Sequence, residues 1–403
     1  MKPVVAIIGA GVAGAIVAEA LARRGDVEVI CLERAARGAH AEAGTGLNVG
    51  PNAMKALASH FPQIAARIRA ASLPWRRWTT GLTDGTILWD LDLATVADNP
   101  GVRIRWSELY RLVREPLDGM VEFGASLEHA SFDASGATLR WRTADGAVRV
   151  RDGVDLVLGC DGRFGWLREA AFGPSPPSHL GIVIYRVLFD AAPSVPVDEY
   201  GQWFAGPNRL LAFRLPDGAI YCAGSFPIPP GDPIPETMKD VATLRALYTL
   251  PTGLSPTCAA LVDGIVGHLD QIHWARVQDG PIRYAHRSGR LLLLGDAAHP
   301  MAPTLGQGAT QAIEDACVAA HEIAAALDAR TPLNAVPASV AARRTERVRF
   351  VSRLSRDASD TMLDGADPVA GVAWKREPGF MRALERLYRA TPEPATSPAR
   401  ALS

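Results

Sequence analysis

The stretch VVAIIGAGVAGAIVAEALARRG, residues 4–25, constrains the fold of this chain more than any other. Its first five residues are apolar, a run that suits a buried strand. GAGVAG follows at 9–14, and residues 15–25 are rich in helix formers and close on glycine. A second apolar run, VEVICL at 27–32, leads to Glu33, 19 residues after Gly14. Strand, glycine turn, helix and strand in that order predict a βαβ unit in a buried parallel sheet. Gly9 permits the tight turn, Gly11 the close approach of a diphosphate, and Gly14 the packing of helix on strand. Glu33 is placed for a ribose hydroxyl. The pattern does not separate NAD from FAD, and a purely structural glycine turn is the alternative.

Two further apolar runs end on acids. VDLVLGCDG, 154–162, leads to Asp161, whose carboxylate needs backbone N–H groups or Arg168 as partners. Leu291 to Leu294 lead to Asp296, and Gly306 and Gly308 then open a helix-forming run. An acid at a strand end before a helix N-terminus suits a polar ligand. An acid capping a glycine-eased turn accounts for it equally well.

Between these segments lie β-rich arms around Asp84-Gly85, Asp145-Gly146 and Asp217-Gly218, each a hairpin signal. The expected organisation is therefore discontinuous. Residues 1–72, 100–178 and 275–350 belong to the nucleotide-binding part, and 73–99 and 179–274 to an inserted antiparallel part. Residues 351–403 form C-terminal helices and a tail, their arginines on a solvated face.

A net charge of −1 gives no electrostatic case for nucleic acid or an anionic membrane. No uncharged apolar stretch reaches the roughly 18 residues of a membrane span. Five cysteines without a CxxC spacing argue against structural zinc, so no metal is expected, and point to a reducing cytoplasm. Monomer and homodimer both remain open.

GAGVAG, the CDG(x5)R segment at 160–168 and GDAAHPMAPTLGQGA at 295–309 together resemble the single-component (group A) FAD-dependent aromatic hydroxylases. GTGLNVGPNAMKAL at 44–57 is similar to that family's G-x-G-(x3)-PN segment, and the resemblance runs from Val4 to about Arg349. It implies an α/β fold in which a Rossmann-like FAD-binding domain is interrupted by an antiparallel β-sheet substrate domain, followed by C-terminal helices. It also implies noncovalent FAD, NAD(P)H as co-substrate, and O2. The reaction it implies is hydroxylation of a small phenolic or hydroxypyridine-type ring through a flavin C4a-hydroperoxide.

The resemblance assigns Gly9, Gly11, Ala13, Gly14, Glu33, Arg34, Asp161 and Arg168 to the dinucleotide. It sets Asp296 on the ribityl chain and Pro303, Gly306, Gln307, Gly308, Ala309 and Thr310 along the flavin. The family arginine three residues before a helix-opening leucine is Trp106 here, which leaves Arg105 as its substitute. Pocket candidates are Asn48, Tyr185, Arg186, Arg209, Phe213, Tyr221 and Thr304, with His299 beside the cofactor. Tyr185 and Tyr221 can equally be packing residues, Arg209 a hairpin-edge charge, and His299 a structural hydrogen bond. Asn48 and Phe213 stand where a hydroxypyridine-specific member carries a histidine and a tyrosine, and neither accepts a proton. Same-fold alternatives are an epoxidase or tailoring oxygenase on a larger substrate. A flavin-binding sensor without turnover is the alternative from another class.

Overall fold

The computed structural model describes residues 2–39, 45–190 and 195–391. Gly44, which opens the G-x-G match, and the tail from residue 392 lie outside the described residues.

Val4–Ile8 is the central strand of a five-stranded parallel sheet. Glu28–Glu33 and Leu156–Gly159 flank it, and Val121–Phe123 and Leu291–Leu293 form the edges. Strands 4–8, 156–159 and 291–293 are buried at every residue, which is why they read as unbroken apolar runs. Because all five strands point the same way, one sheet edge collects Gly9, Glu33, Asp161 and the turn to Asp296. In open parallel sheets this carboxyl edge is where ligands bind. Helix Val12–Ala22 leaves the glycine turn and packs against helix Gln307–Asp328.

A seven-stranded sheet forms the other half. Its order is 273–279, 178–189, 220–227, 208–214, 200–205, 77–82, 87–92. Asp84-Gly85 and Asp217-Gly218 turn two of its hairpins, with Gly85 at φ +100° and Gly218 at +87°. Asp145-Gly146 turns a hairpin in a separate three-stranded antiparallel sheet, 126–132, 137–142 and 148–154. One pair in the large sheet departs from the antiparallel expectation. Strands 77–82 and 200–205, distant in sequence, run parallel. A small sheet of 46–49, 101–105 and 73–75 bridges the halves.

Helices Val241–Tyr248 and Pro256–Val266 pack on one face of the large sheet and bury its alternate residues, leaving the other face to line a cavity. Exposed arginines do mark the C-terminal segment, Arg356 among them, yet it also buries Met362, Lys375 and Tyr388.

Candidate active site

One cavity of about 420 Å³ runs from the carboxyl edge of the parallel sheet to the inner face of the large sheet. Its first wall is mostly backbone. Gly9 sits at φ +100°, and a Cβ there would lie 2.4 Å from the Cys160 carbonyl oxygen. A Cβ on Gly14 would lie 2.0 Å from the Gly9 carbonyl oxygen. A Cβ on Gly11 would meet nothing closer than the Cys160 carbonyl oxygen at 3.8 Å, and Gly11 lines the cavity with Val12 and Ala13. Two glycines thus close the turn tightly while the third leaves its backbone bare. Across from them, Gly306 at φ +63° reverses the chain, and helix Gln307–Asp328 starts.

On that helix the period of 3.6 divides the motif. Gly308, Ala309 and Ala312 line the cavity. The Gln307 and Thr310 side chains point away from the cavity and act as buttresses. Thr310 Oγ1 accepts from the Gly50 N–H at 2.9 Å, and Gln307 Oε1 accepts from Asn52 and Gln311. They fix the G-x-G-(x3)-PN segment to the helix. Pro303, Thr304, Gly306 and Asp296 do line the cavity, and no protein donor meets the Asp296 carboxylate among the described residues.

His299 is set apart from the cavity, fully buried, with Nε2 2.6 Å from Asp315 Oδ2. The same oxygen accepts from the Gly295 N–H at 2.9 Å, while Oδ1 accepts from Tyr284 and from Arg344 Nε. Arg344 Nη1 reaches Glu314 at 2.6 Å, and Asn52 donates to the same carboxylate. Burial alone would raise the Asp315 pKa, but His299 and Arg344 outweigh it and hold the carboxylate below its ordinary value. The histidine is therefore a strut that fixes the turn carrying Asp296. Glu314, Asp315 and Arg344 were not singled out from sequence. Their signal was two adjacent acids, Glu314 and Asp315, directly before the apolar run ACVAA at 316–320.

Five other expected cofactor residues have side chains off the cavity. Arg168 does not pair with Asp161, because its guanidinium donates to the carbonyls of Ala297, Ala298 and Pro281. Asp161 instead accepts from the Leu167 N–H at 3.1 Å, and its Oδ1 is buried without a partner. Glu33 holds the glycine turn through the Ala10 N–H at 2.9 Å and also accepts from the Ala35 N–H. Arg34 is exposed next to it. Arg105 turns to Asp217, and Trp106 takes the place at the cavity, stacked on Tyr110 at 5.3 Å.

The second wall is made of side chains at alternate strand positions. Ile184 and Arg186, then Arg209, Leu211 and Phe213, then Tyr221 and Ala223 face inward. Tyr185 has the wrong parity. Its hydroxyl meets Tyr248 at 2.7 Å in the core on the far face, and Gly224 opposite leaves room for its ring. Adjacent strand residues point to opposite faces, so Tyr185 and Arg186 could not both be pocket residues.

Tyr200, Phe213 and Tyr221 form an aromatic row, with Phe213 and Tyr221 4.8 Å apart. Trp75, Trp78 and Tyr388 complete the enclosure. Trp78, Tyr200 and Tyr388 escaped the sequence reading because they come from elements far apart in the chain.

Arg209 is 4% exposed, its Nε has no partner, and no carboxylate pairs with it or with Arg186 among the described residues. Burial lowers the Arg209 pKa, countered by Tyr200 and Tyr221. Burial pushes Tyr200 up to about 12, and burial likewise raises Tyr221, so both phenols are neutral near pH 7. The site thus offers an anion-seeking, aromatic-lined chamber joined to a backbone-lined groove. Among the described residues no cluster could hold a metal, and no helix is long and apolar enough to cross a membrane.

Comparison with known proteins agrees with this geometry. The FAD binding domain family matches residues 2–205 and 262–354. The 6-hydroxynicotinate 3-monooxygenase of Pseudomonas fluorescens is 27% identical over 380 residues, covering 88% of this chain and 91% of that protein. The 3-amino-4-hydroxybenzoate 2-monooxygenase PtnB3 of Streptomyces platensis is 31% identical over 375 residues, covering 88% and 87%. In fold, the chain is similar to Klebsiella pneumoniae HpxO, solved with FAD and uric acid. The TM-score is 0.78 at 23% identity, with 96% of each chain covered.

Proposed function

Because the chain belongs to the FAD binding domain family, we propose that it is an FAD-dependent monooxygenase acting on a small aromatic or heteroaromatic acid. The observation that carries this reading is the continuity of one cavity. It joins the glycine turns to a ring-sized chamber holding two arginines without carboxylate partners. The names of both curated relatives above are those of monooxygenases of ring acids, which supports it.

The residues present fit the cofactor. Gly11 to Ala13 leave bare backbone for the diphosphate, and Asp296 carries an unpaired carboxylate for the ribityl hydroxyls. Gly308 and Ala309 bring a helix N-terminus to the flavin, where the helix dipole favours negative charge by about 0.3–1 kcal/mol. FAD reduced by NAD(P)H supplies the activation of O2 for transfer of one oxygen atom to the ring.

The chain's own residues supply orientation and enclosure. Arg209 and Arg186 hold the acid, and Phe213, Tyr200 and Trp78 sandwich the ring and exclude water. Among the described residues, 179–274 hold no second βαβ unit, so the nicotinamide dinucleotide meets the flavin without a domain of its own.

The test mixes holoenzyme, NADH or NADPH and a panel of aromatic acids, following absorbance at 340 nm, peroxide and product. A substrate acid should accelerate oxidation and appear hydroxylated. Arg209→Gln should raise its KM at least tenfold with flavin content unchanged, the size expected for one charged hydrogen bond of about 1.5–3 kcal/mol. Oxidation equal with and without every ring would refute the reading.

A further inference from the structure

We propose that Asn48 recognises a lactam edge on the substrate, a ring N–H beside a ring carbonyl, as in the oxo form of a hydroxypyridine. This rests on the monooxygenase reading and narrows its substrate class to oxo-azaheterocyclic acids.

Asn48 is 8% exposed, lines the cavity, and neither Nδ2 nor Oδ1 has a partner. An amide left that way is costly until a ligand satisfies it. Its direction follows from the strand Gly46–Val49. Gly46, two residues away, shares its face. A Cβ on Gly46 would lie 2.9 Å from Tyr221 Cβ and 3.0 Å from the Phe213 ring. The face that bears Asn48 therefore looks at the chamber of the large sheet.

A primary amide presents one donor and one acceptor side by side in a plane. A ligand that satisfies both must offer an acceptor beside a donor in the same plane. A lactam does so, with its ring nitrogen still carrying the proton. A phenol offers a single oxygen, and a carboxylate offers acceptors only. Asn48 takes no proton and Phe213 offers no polar atom, so this side of the chamber is built to read a neutral edge. The acid of the same ring is left to Arg209 and Arg186. The flavin pyrimidine ring also carries an N–H beside a carbonyl, and the flavin content of the Asn48→Leu variant separates that pairing from a substrate contact.

The test measures Kd on the FAD-loaded enzyme from the change in flavin absorbance. The three probes are 6-hydroxynicotinate, its N-methyl lactam derivative, and 4-hydroxybenzoate. Wild-type enzyme should bind 6-hydroxynicotinate at least tenfold tighter than either comparator. In Asn48→Leu that preference should vanish while flavin content stays at the wild-type level.

Equal or tighter binding of 4-hydroxybenzoate would overturn the inference and leave the monooxygenase reading standing, provided that this acid stimulates NAD(P)H oxidation. Loss of flavin in Asn48→Leu would assign the amide to the cofactor and overturn it too. If no probe binds and no ring acid stimulates oxidation, both fall together.

Discussion

The groove beside the glycine turns presents backbone to its ligand, whereas the chamber beside the large sheet presents side chains. On the first wall, specificity lies in what is missing. Gly9 and Gly14 have no room for a methyl group, and Gly11 has none to obstruct a ligand. On the second wall it lies in what is left over, the unpaired atoms of Asn48, Arg209 and Tyr388. Backbone geometry tolerates few substitutes, so such a wall leaves a recognisable spacing in sequence. A wall of side chains keeps its shape while its chemistry changes one residue at a time.

The largest effect should come from a residue that touches neither wall. Arg344→Met removes the cation between Glu314 and Asp315, two fully buried carboxylates. Breaking a buried pair from one side costs about 3–5 kcal/mol. Urea denaturation should show that loss, and flavin should leave during dialysis because Asp315 no longer fixes Gly295. Unchanged stability would mean that the groove holds itself.

Asp296→Ala sharpens the contrast on the groove itself. Each charge-assisted bond to a ribityl hydroxyl contributes about 1.5–3 kcal/mol, so flavin affinity should fall tenfold or more. Asp84→Ala is the control, since Asp84 caps a hairpin turn through the Thr86 N–H and bonds Thr252 on the surface. Equal flavin retention in the two variants would dissolve the distinction between a ligand acid and a turn acid.

Asp161 gives the groove a pH signature. Burial pushes its carboxyl from 3.8 up to about 6, with the Leu167 N–H and Arg34 pulling it back. A raised folded pKa means that the fold holds the proton more tightly. That stabilisation is complete below about pH 4 and lost as the pH passes through about 6. The Tm of the flavin-free protein should therefore fall from pH 4 to 7 more steeply in wild type than in Asp161→Asn. Parallel Tm profiles would count against a buried, proton-hungry carboxyl.

Tyr185→Phe should have the smallest effect. It leaves the Tyr248 hydroxyl unpaired at about 1–2 kcal/mol of stability, and the ring keeps its place over Gly224. KM and kcat should not change, because the side chain faces the helices and not the cavity. A tenfold rise in KM would put Tyr185 back into the pocket.

The two walls also differ in how far they could be read beforehand. GAGVAG, the strand-end acids and the GQG helix start were legible because each is a local constraint on backbone conformation. Glu33, Gln307, Thr310 and His299 were found by the same motifs, and in the structure their side chains brace the turns. A motif marks residues that a turn requires, and some of those serve by bracing it. For the chamber, Arg209, Phe213, Tyr221 and Asn48 were legible, while Tyr185 was excluded by the parity of a strand that also offered Arg186. Trp78, Tyr200 and Tyr388 meet only through long-range pairing, such as the parallel join of strands 77–82 and 200–205. Nothing local in the sequence announces such a join.

Tyr388 comes from helix Pro378–Arg389, lies fully buried edge-on to Trp75, and forms part of the chamber wall. The glycine turn and this tyrosine are 379 residues apart. At ~5–20 residues per second of synthesis, roughly 20–75 s separate their emergence from the ribosome. In the later part of that interval, once Tyr221 has emerged, the nascent chain carries an aromatic chamber open on one side, able neither to shield a ring from water nor to keep its apolar wall from other chains. Completion of the site thus waits on this late segment, and a product stalled or shortened before it is a half-built vessel with its sticky face turned outward.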